Sequence, residues 1–182
     1  SELLGATVRD ATGSVRGRVR EIAIAPQDHP TRIAFLIVNT TDGERVLPSW
    51  ALKSCGATVR TADNASGWDK YTASDGVLLL KRDLLDQQII DVHGRKVVRV
   101  NDVDLLREQL NGTLKLKVGR VDIGLRGAIR RLLKGLAPGR AVEALAMRMP
   151  EKSIPWEAVD LIETDPARRV RQLPALVRAR AR

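Results

Sequence analysis

The stretch LLDQQIIDVHGRKVVRVNDVDL, residues 84 to 105, has the charge density of a nucleic-acid binder and the alternation of a β-hairpin. The turn at its centre, Asp91-Val92-His93-Gly94, supplies what a tight reversal needs: an acid that bonds back to the backbone and a residue tolerant of positive φ. Apolar residues alternate with polar ones on either side. Whether the stretch is a recognition surface or a barrel wall depends on whether it is repeated, because a repeated pattern is usually scaffold.

It is repeated. LLGATVRDATGSVRGRVREIAIA, residues 3 to 25, falls over it at a constant offset of 81 positions, which sets Asp10 over Asp91, Gly13 over Gly94, Arg18 over Arg99, Val19 over Val100 and Ile22 over Val103. Each copy reads as strand, Asp-x-x-Gly turn, strand. A second landmark follows: VLPSWAL, 46 to 52, matches SIPWEAV, 153 to 159, at an offset of 107, so the second copy carries 26 extra residues. Between the landmarks the first copy holds TRIAFLIVNTTDGERVLP, two strand-like runs about a Thr-Asp-Gly turn. The second holds GTLKLKVGRVDIG, in which Leu114, Leu116 and Val118 alternate with Lys115, Lys117 and Gly119 as in a half-buried strand. The pattern predicts two units of about six short strands, closed as small barrels because closure removes exposed sheet edges.

The extra residues differ in kind. Apolar side chains at 125, 128, 129, 132, 133 and 136 follow one helical face, with Arg126, Arg130, Arg131 and Lys134 off it. Gly135 and Pro138 end that helix, and GRAVEALAMRM can form a second. A helical hairpin inserted into the second barrel, at about 124–150, is expected.

Composition narrows the function classes. The 182 residues suit one ordinary domain or two small ones packed together. Lys plus Arg number 31 against 22 acids, a net charge of +9 that invites anionic partners. The six arginines Arg168, Arg169, Arg171, Arg178, Arg180 and Arg182 account for six of those nine charges, so the body carries only +3. One cysteine, Cys55, excludes an internal disulfide and fits a reducing compartment. The longest apolar runs, IAFLIV and VLLL, fall far below the ~18 residues of a membrane span. No signal-peptide pattern opens the chain, and its start at Ser1 reads as a trimmed piece of a longer protein.

The paired hairpins, each followed by a strand ending in Leu/Ile-Pro, resemble the PRC-barrel, the small β-barrel of the photosynthetic reaction centre H subunit and the ribosome maturation factor RimM. The tandem arrangement, with LLLKRDLLDQQIIDVHGRKVVRVNDVDL, VGRVDIGLRGAIRRLL and IPWEAVDLIE, is more specifically similar to the N-terminal part of soluble MgtE-like, magnesium-transporter-related proteins. That resemblance implies a mainly β fold of two tandem PRC-type barrels, 1–76 and 77–164, with 165–182 a basic tail or linker to a missing domain. The MgtE helical domain, the CBS pair and the transport channel of such proteins have no counterpart in the sequence.

Candidate chemistry is sparse. Asp102 and Asp104 lie two apart, on one strand face, where paired carboxylates can hold a hard cation such as magnesium. Two acids at a solvated strand end are the plainer reading, and a third carboxylate in space would be needed to change it. The loop TADNASGWDKYTASDG, 61 to 76, lacks the closely alternating acids of a calcium loop and reads as the linker between barrels, with Trp68 and Tyr71 packed against one of them. His93 sits in a turn, Cys55 has no neighbouring base, and GSVRG and GLRG lack the strand, loop and helix of a phosphate site. No catalytic set, metal site or cofactor site is expected. The few aromatics, Phe35, Trp50, Trp68, Tyr71 and Trp156, do not form a stacking platform for RNA.

Function then rests on what the barrels bind. The resemblance implies a non-catalytic regulatory or adaptor module, cytoplasmic, whose partner is a protein: a transporter or further domains of the same longer chain. Homodimerisation is a further option. Arg126, Arg130, Arg131 and Lys134 form the candidate surface for a partner or an anionic membrane, reached from the cytoplasmic side. The alternative is a RimM-like factor associated with ribosome or RNA, and nucleic acid ranks behind a protein partner.

Overall fold

The structure, a computed structural model, describes residues 3–74, 76–93, 95–110, 113–124 and 152–161. Its first strands are hairpin-built: β1 (Thr7–Arg9) and β2 (Val15–Ile24) about Gly13, then β3 (Ile33–Thr40) and β4 (Gly43–Pro48) about the expected Thr-Asp-Gly turn. Gly13 and Gly43 have φ of 83° and 99°, the left-handed region that glycine enters without a steric penalty. A 3-10 turn, Ser49–Ala51, leads to β5 (Leu52–Ser54) and β6 (Thr58–Thr61). The sheet runs β4-β3-β2-β1-β6-β5, antiparallel except for the β1–β6 pair, and β7 (Leu78–Leu79) pairs with Ala23 and Ile24 of β2. Register shifts between Val19 and Glu21 and between Ala23 and Ile24 bend β2 and raise its twist, and the sheet curls into a half-barrel.

After one π-helical turn, Leu80–Leu84, come β8 (Gln88–Asp91), β9 (Lys96–Arg99), β10 (Asp102–Leu110), β11 (Thr113–Asp122), β12 (Ser153–Pro155) and β13 (Val159–Leu161). They form two three-stranded sheets, β10-β11-β12 and β13-β8-β9. Only Val100 and Asn101 separate β9 from β10, and the 3-10 turn Trp156–Ala158 joins β12 to β13. The expected helical hairpin at about 124–150 and the basic tail at 165–182 lie outside the described residues.

The offset of the sequence recurs as hydrogen bonds. Gly5 N–H donates to Val19 O and Asp86 N–H to Val100 O, both at 2.8 Å. Val19 N–H donates to Ala6 O at 2.9 Å and Val100 N–H to Gln87 O at 3.0 Å. Gly5 and Asp86 both take positive φ, 81° and 66°. The bulge at Ala23/Ile24 returns at Asp104/Leu105. Pro48 and Pro155 precede matching 3-10 turns with extended φ, ψ of −60°, 143° and −64°, 149°. A trans proline suits this place because its fixed φ is already extended and the turn does not need its missing N–H.

The packing does not split at residue 76. One apolar cluster holds Val8, Ile22, Leu36 and Leu47 together with Ile89, Val103, Leu116 and Val121. Each fully buried aliphatic side chain contributes about 1.5–3 kcal/mol. Two hydrogen bonds tie the later strands to the loop before β3: Val118 N–H to Thr31 O at 2.8 Å and Trp156 Nε1–H to Pro30 O at 2.9 Å. A second, smaller cluster lies on the other face of the sheet, where Phe35, Tyr71 and Val77 pack on Ala23, Ile37 and Leu79. It fastens the segment after β6, which also runs along β4 through Val46 N–H to Asp69 O and Tyr71 N–H to Glu44 O.

Candidate functional site

The most elaborate polar site is the first turn. Asp10 is 3% exposed, and its Oδ1 accepts the Thr12 hydroxyl at 2.6 Å and the N–H groups of Thr12 and Ser14, while Oδ2 accepts Arg16 Nε at 2.5 Å. The Thr12 hydrogen bond and the Arg16 guanidinium outweigh burial and hold the carboxyl down at about 2. Asp91 occupies the same place in the second hairpin, 5% exposed, accepting His93 N–H at 3.2 Å. Both are Asx turns that satisfy backbone donors, so the aspartates are structural. His93 is exposed, as its turn position suggests.

A second buried carboxylate was not singled out by the sequence. Glu21, 6% exposed on β2, accepts Lys81 N–H at 2.6 Å and Arg82 N–H at 3.1 Å, holding the π-helical turn against the half-barrel. It also accepts the N–H of the next residue, Ile22, as Asp102 does from Val103. The available signal was the offset of 81, which sets Glu21 over Asp102 as a carboxylate over a carboxylate.

The paired acids Asp102 and Asp104 diverge from a shared chemistry. The third carboxylate does exist: Asp122 stands directly opposite Asp102 in the β10–β11 ladder. Its Oδ1, however, accepts Gly124 N–H at 2.7 Å, and Asp104 pairs across the ladder with Arg120. Among the described residues no group of three His, Cys, Asp or Glu side chains is placed to hold a metal ion. Burial raises the Cys55 thiol to about 11 against the influence of Arg107, which keeps it protonated and a poor nucleophile.

Among the described residues, two clefts open to solvent have volumes of about 420 and 340 Å3. Arg16 and Arg45 face the first beside Asp42, but Arg16 is bound to Asp10 and Arg45 reaches Trp68 O. The second is lined by Arg20, Lys81 and Arg82, with Arg20 paired to Glu44 and Arg82 to Asp83. Neither concentrates unpaired charge or apolar lining around a ligand-sized space.

The aromatics fall where packing puts them. Trp68 is buried and Tyr71 lies against Phe35 with ring centroids 6.5 Å apart, as expected of a linker packed on a sheet. Trp156 is half-buried on its bond to Pro30, whereas Trp50 is 67% exposed at the sheet margin. Arg126, Arg130, Arg131 and Lys134 lie outside the described residues. Among the described residues no helix is long and apolar enough to cross a membrane. No protein-family model matches the chain, and no curated protein matches it.

Proposed function

We propose that the chain is a pair of tandem PRC-type barrels serving as a non-catalytic regulatory or adaptor module of a magnesium-transport-related, MgtE-like protein, acting through protein contacts. The observation that carries this reading is the recurrence of one corner, the Gly5–Val19 and Asp86–Val100 hydrogen bonds with their buried aspartates Asp10 and Asp91, at a single offset. Supporting it, both hairpins lead into strands that end at matching prolines and turns. The buried acids and thiol are bound up in backbone hydrogen bonds or kept protonated, which suits a binding scaffold better than a reaction centre. The link to magnesium transport is by resemblance of sequence pattern alone.

Capture of partners from the source cells, after nuclease treatment and a moderate-salt wash, tests the role. Membrane transport components among the retained proteins are the expected result. Small-subunit ribosomal proteins in their place would overturn it in favour of the RimM-like reading. Failure of millimolar magnesium to bind or to change the conformation would remove direct sensing of the ion from the proposal.

A further inference from the structure

Arg16 and Arg20 of β2 being ion-paired, the outer face of the first sheet carries one further cation on each of four adjacent strands: Arg18 on β2, Arg9 on β1, Arg60 on β6 and Lys53 on β5. Their neighbours Val19, Val8, Val59 and Leu52 point inward and are at most 2% exposed, which fixes the cations on the opposite, outward face. Arg9 and Arg60 are direct partners in the parallel ladder. Arg18 lies diagonally beyond Arg9, through its partner Thr7, and Lys53 sits in the bulge beside Arg60. With strands about 4.8 Å apart the row spans about 14 Å.

None of the four is ion-paired among the described residues. Arg9 and Arg18 donate to the carbonyls of Gly13 and Gly5, and the described salt bridges involve other cations. Like charges placed directly opposite on a sheet destabilise it. Spaced within a Debye length, they also act together on an external charge. The row belongs to this sheet alone: the positions of Arg9 and Lys53 are taken in the second repeat by Ile90 and Asp160, and no described strand there corresponds to β6.

We propose that this face docks on an anionic lipid bilayer, with Trp50 as its interfacial anchor. The four cations are spread over the face of a sheet, one on each of four strands, and neither of the two clefts described above is lined by any of them, which suits a broad anionic surface better than a duplex held in a groove. Among the described residues, the four strands that carry them hold no aromatic side chain to stack a base. A protein hot spot gathers its anchor at the centre of a packed patch, whereas Trp50 lies at the margin, on the turn that enters the edge strand β5, three residues from Lys53. An exposed indole at the edge of a basic face suits the headgroup layer, where its ring is half in hydrocarbon and its N–H in water. This surface is independent of the adaptor role and of the candidate cations at 126 to 134.

The test is binding of the full chain to phosphatidylcholine vesicles with and without about 30% phosphatidylserine, from about 0.05 M to about 0.5 M salt. Expected are binding only to the anionic vesicles, loss at high salt, and a blue shift of the Trp50 emission that the Trp50→Phe variant lacks. Replacing Arg9, Arg18, Lys53 and Arg60 with glutamine should weaken binding by up to roughly a thousandfold. Replacing the six arginines from Arg168 to Arg182, or Arg126, Arg130, Arg131 and Lys134, should leave the Trp50 shift intact. If the four-residue variant does not fold, Arg60→Gln alone should still reduce affinity severalfold with an unchanged circular dichroism spectrum. Vesicle binding that follows the tail or the 126–134 cations, or a Trp50 emission unmoved by bound vesicles, would overturn the proposal. So would binding to duplex DNA or to an acidic peptide with none to the vesicles.

Discussion

The hairpins β1–β2 and β8–β9 share their corner hydrogen bonds and differ in nearly everything those bonds leave free. Position for position, the second replaces outward Arg9 with Ile90 and Arg16 with Val97, and Ile90, Val92 and Val97 are exposed. The neighbours differ as well: β8 pairs directly with β13, but β6 stands between β1 and β5. A repeated backbone frame therefore constrains the buried residues and turn acids and leaves the outer face to diverge. Differences of surface between the copies are where differences of partner are to be sought.

The sharpest way to break this comparison is a single partly buried position where the two copies have opposite needs. A Cβ on Gly17 would lie 2.1 Å from the carbonyl oxygen of Asn39 on β3, while the matching residue in the second hairpin is Val98, partly buried against the core. Gly17→Val is expected to cost about 4 kcal/mol or more, since backbone would have to move. The converse, Val98→Gly, should cost about 1–2 kcal/mol through lost burial and added chain entropy. Urea denaturation of both variants measures the asymmetry. Equal costs would mean that the strands approach alike in both copies.

Next in size is the Glu21 clamp. Glu21→Ala leaves the N–H groups of Lys81 and Arg82 without their acceptor and should cost about 1.5–3 kcal/mol, with Glu21→Gln recovering part of it. Because one apolar cluster spans both copies, the loss should appear as a shift of a single unfolding transition. Two separated transitions in either protein would show that the copies fold independently.

How much of this was legible depended on distance along the chain. The hairpins, their turn acids and the Pro-bounded turns could be read because each is settled within about ten residues by alternation and turn chemistry. The mainly β architecture followed from the same signals. What escaped were features assembled from separate strands. Glu21 clamps a turn 60 residues away, Asp122 faces Asp102 only once the ladder forms, and the basic row takes one residue from each of four strands. Sequence spacing carries no trace of such neighbours when the strand order, with β6 intercalated beside β1, is itself non-local. Trp50 follows the Leu47-Pro48 landmark closely, and only the geometry of the turn leaves its side chain exposed at the sheet margin.

The acid limb tests the turn aspartate of the first hairpin. Asp10 is held at about 2, below the ordinary value of about 3.9, so its ionised form stabilises the fold above that ordinary value. That contribution is lost as the pH falls through about 2, where the folded-state group takes up its proton. Asp10→Asn should therefore be less stable than the parent protein at neutral pH and converge on it between about pH 4 and 2. Thermal melting as a function of pH measures the convergence. A constant gap across the acid range would assign the loss to the altered Thr12 and Ser14 hydrogen bonds and not to charge.

The smallest expected effect bears most directly on why the faces differ. Arg9 faces Arg60 across a parallel ladder, and threonine is at least as well suited to a strand as arginine. Arg9→Thr gives up the hydrogen bond to Gly13 O but relieves the like-charge contact, so at low salt the variant should equal or exceed the parent by a few tenths of a kcal/mol. Salt should shrink the gain, since it screens the repulsion that the substitution removes. Ile90→Thr in the second hairpin meets no such repulsion and should show no corresponding salt dependence. If Arg9→Thr destabilises the protein at every salt concentration, the cation serves the fold. If it stabilises the protein while weakening attachment to anionic vesicles, the charge is kept on that face at the expense of stability, as expected of a binding surface.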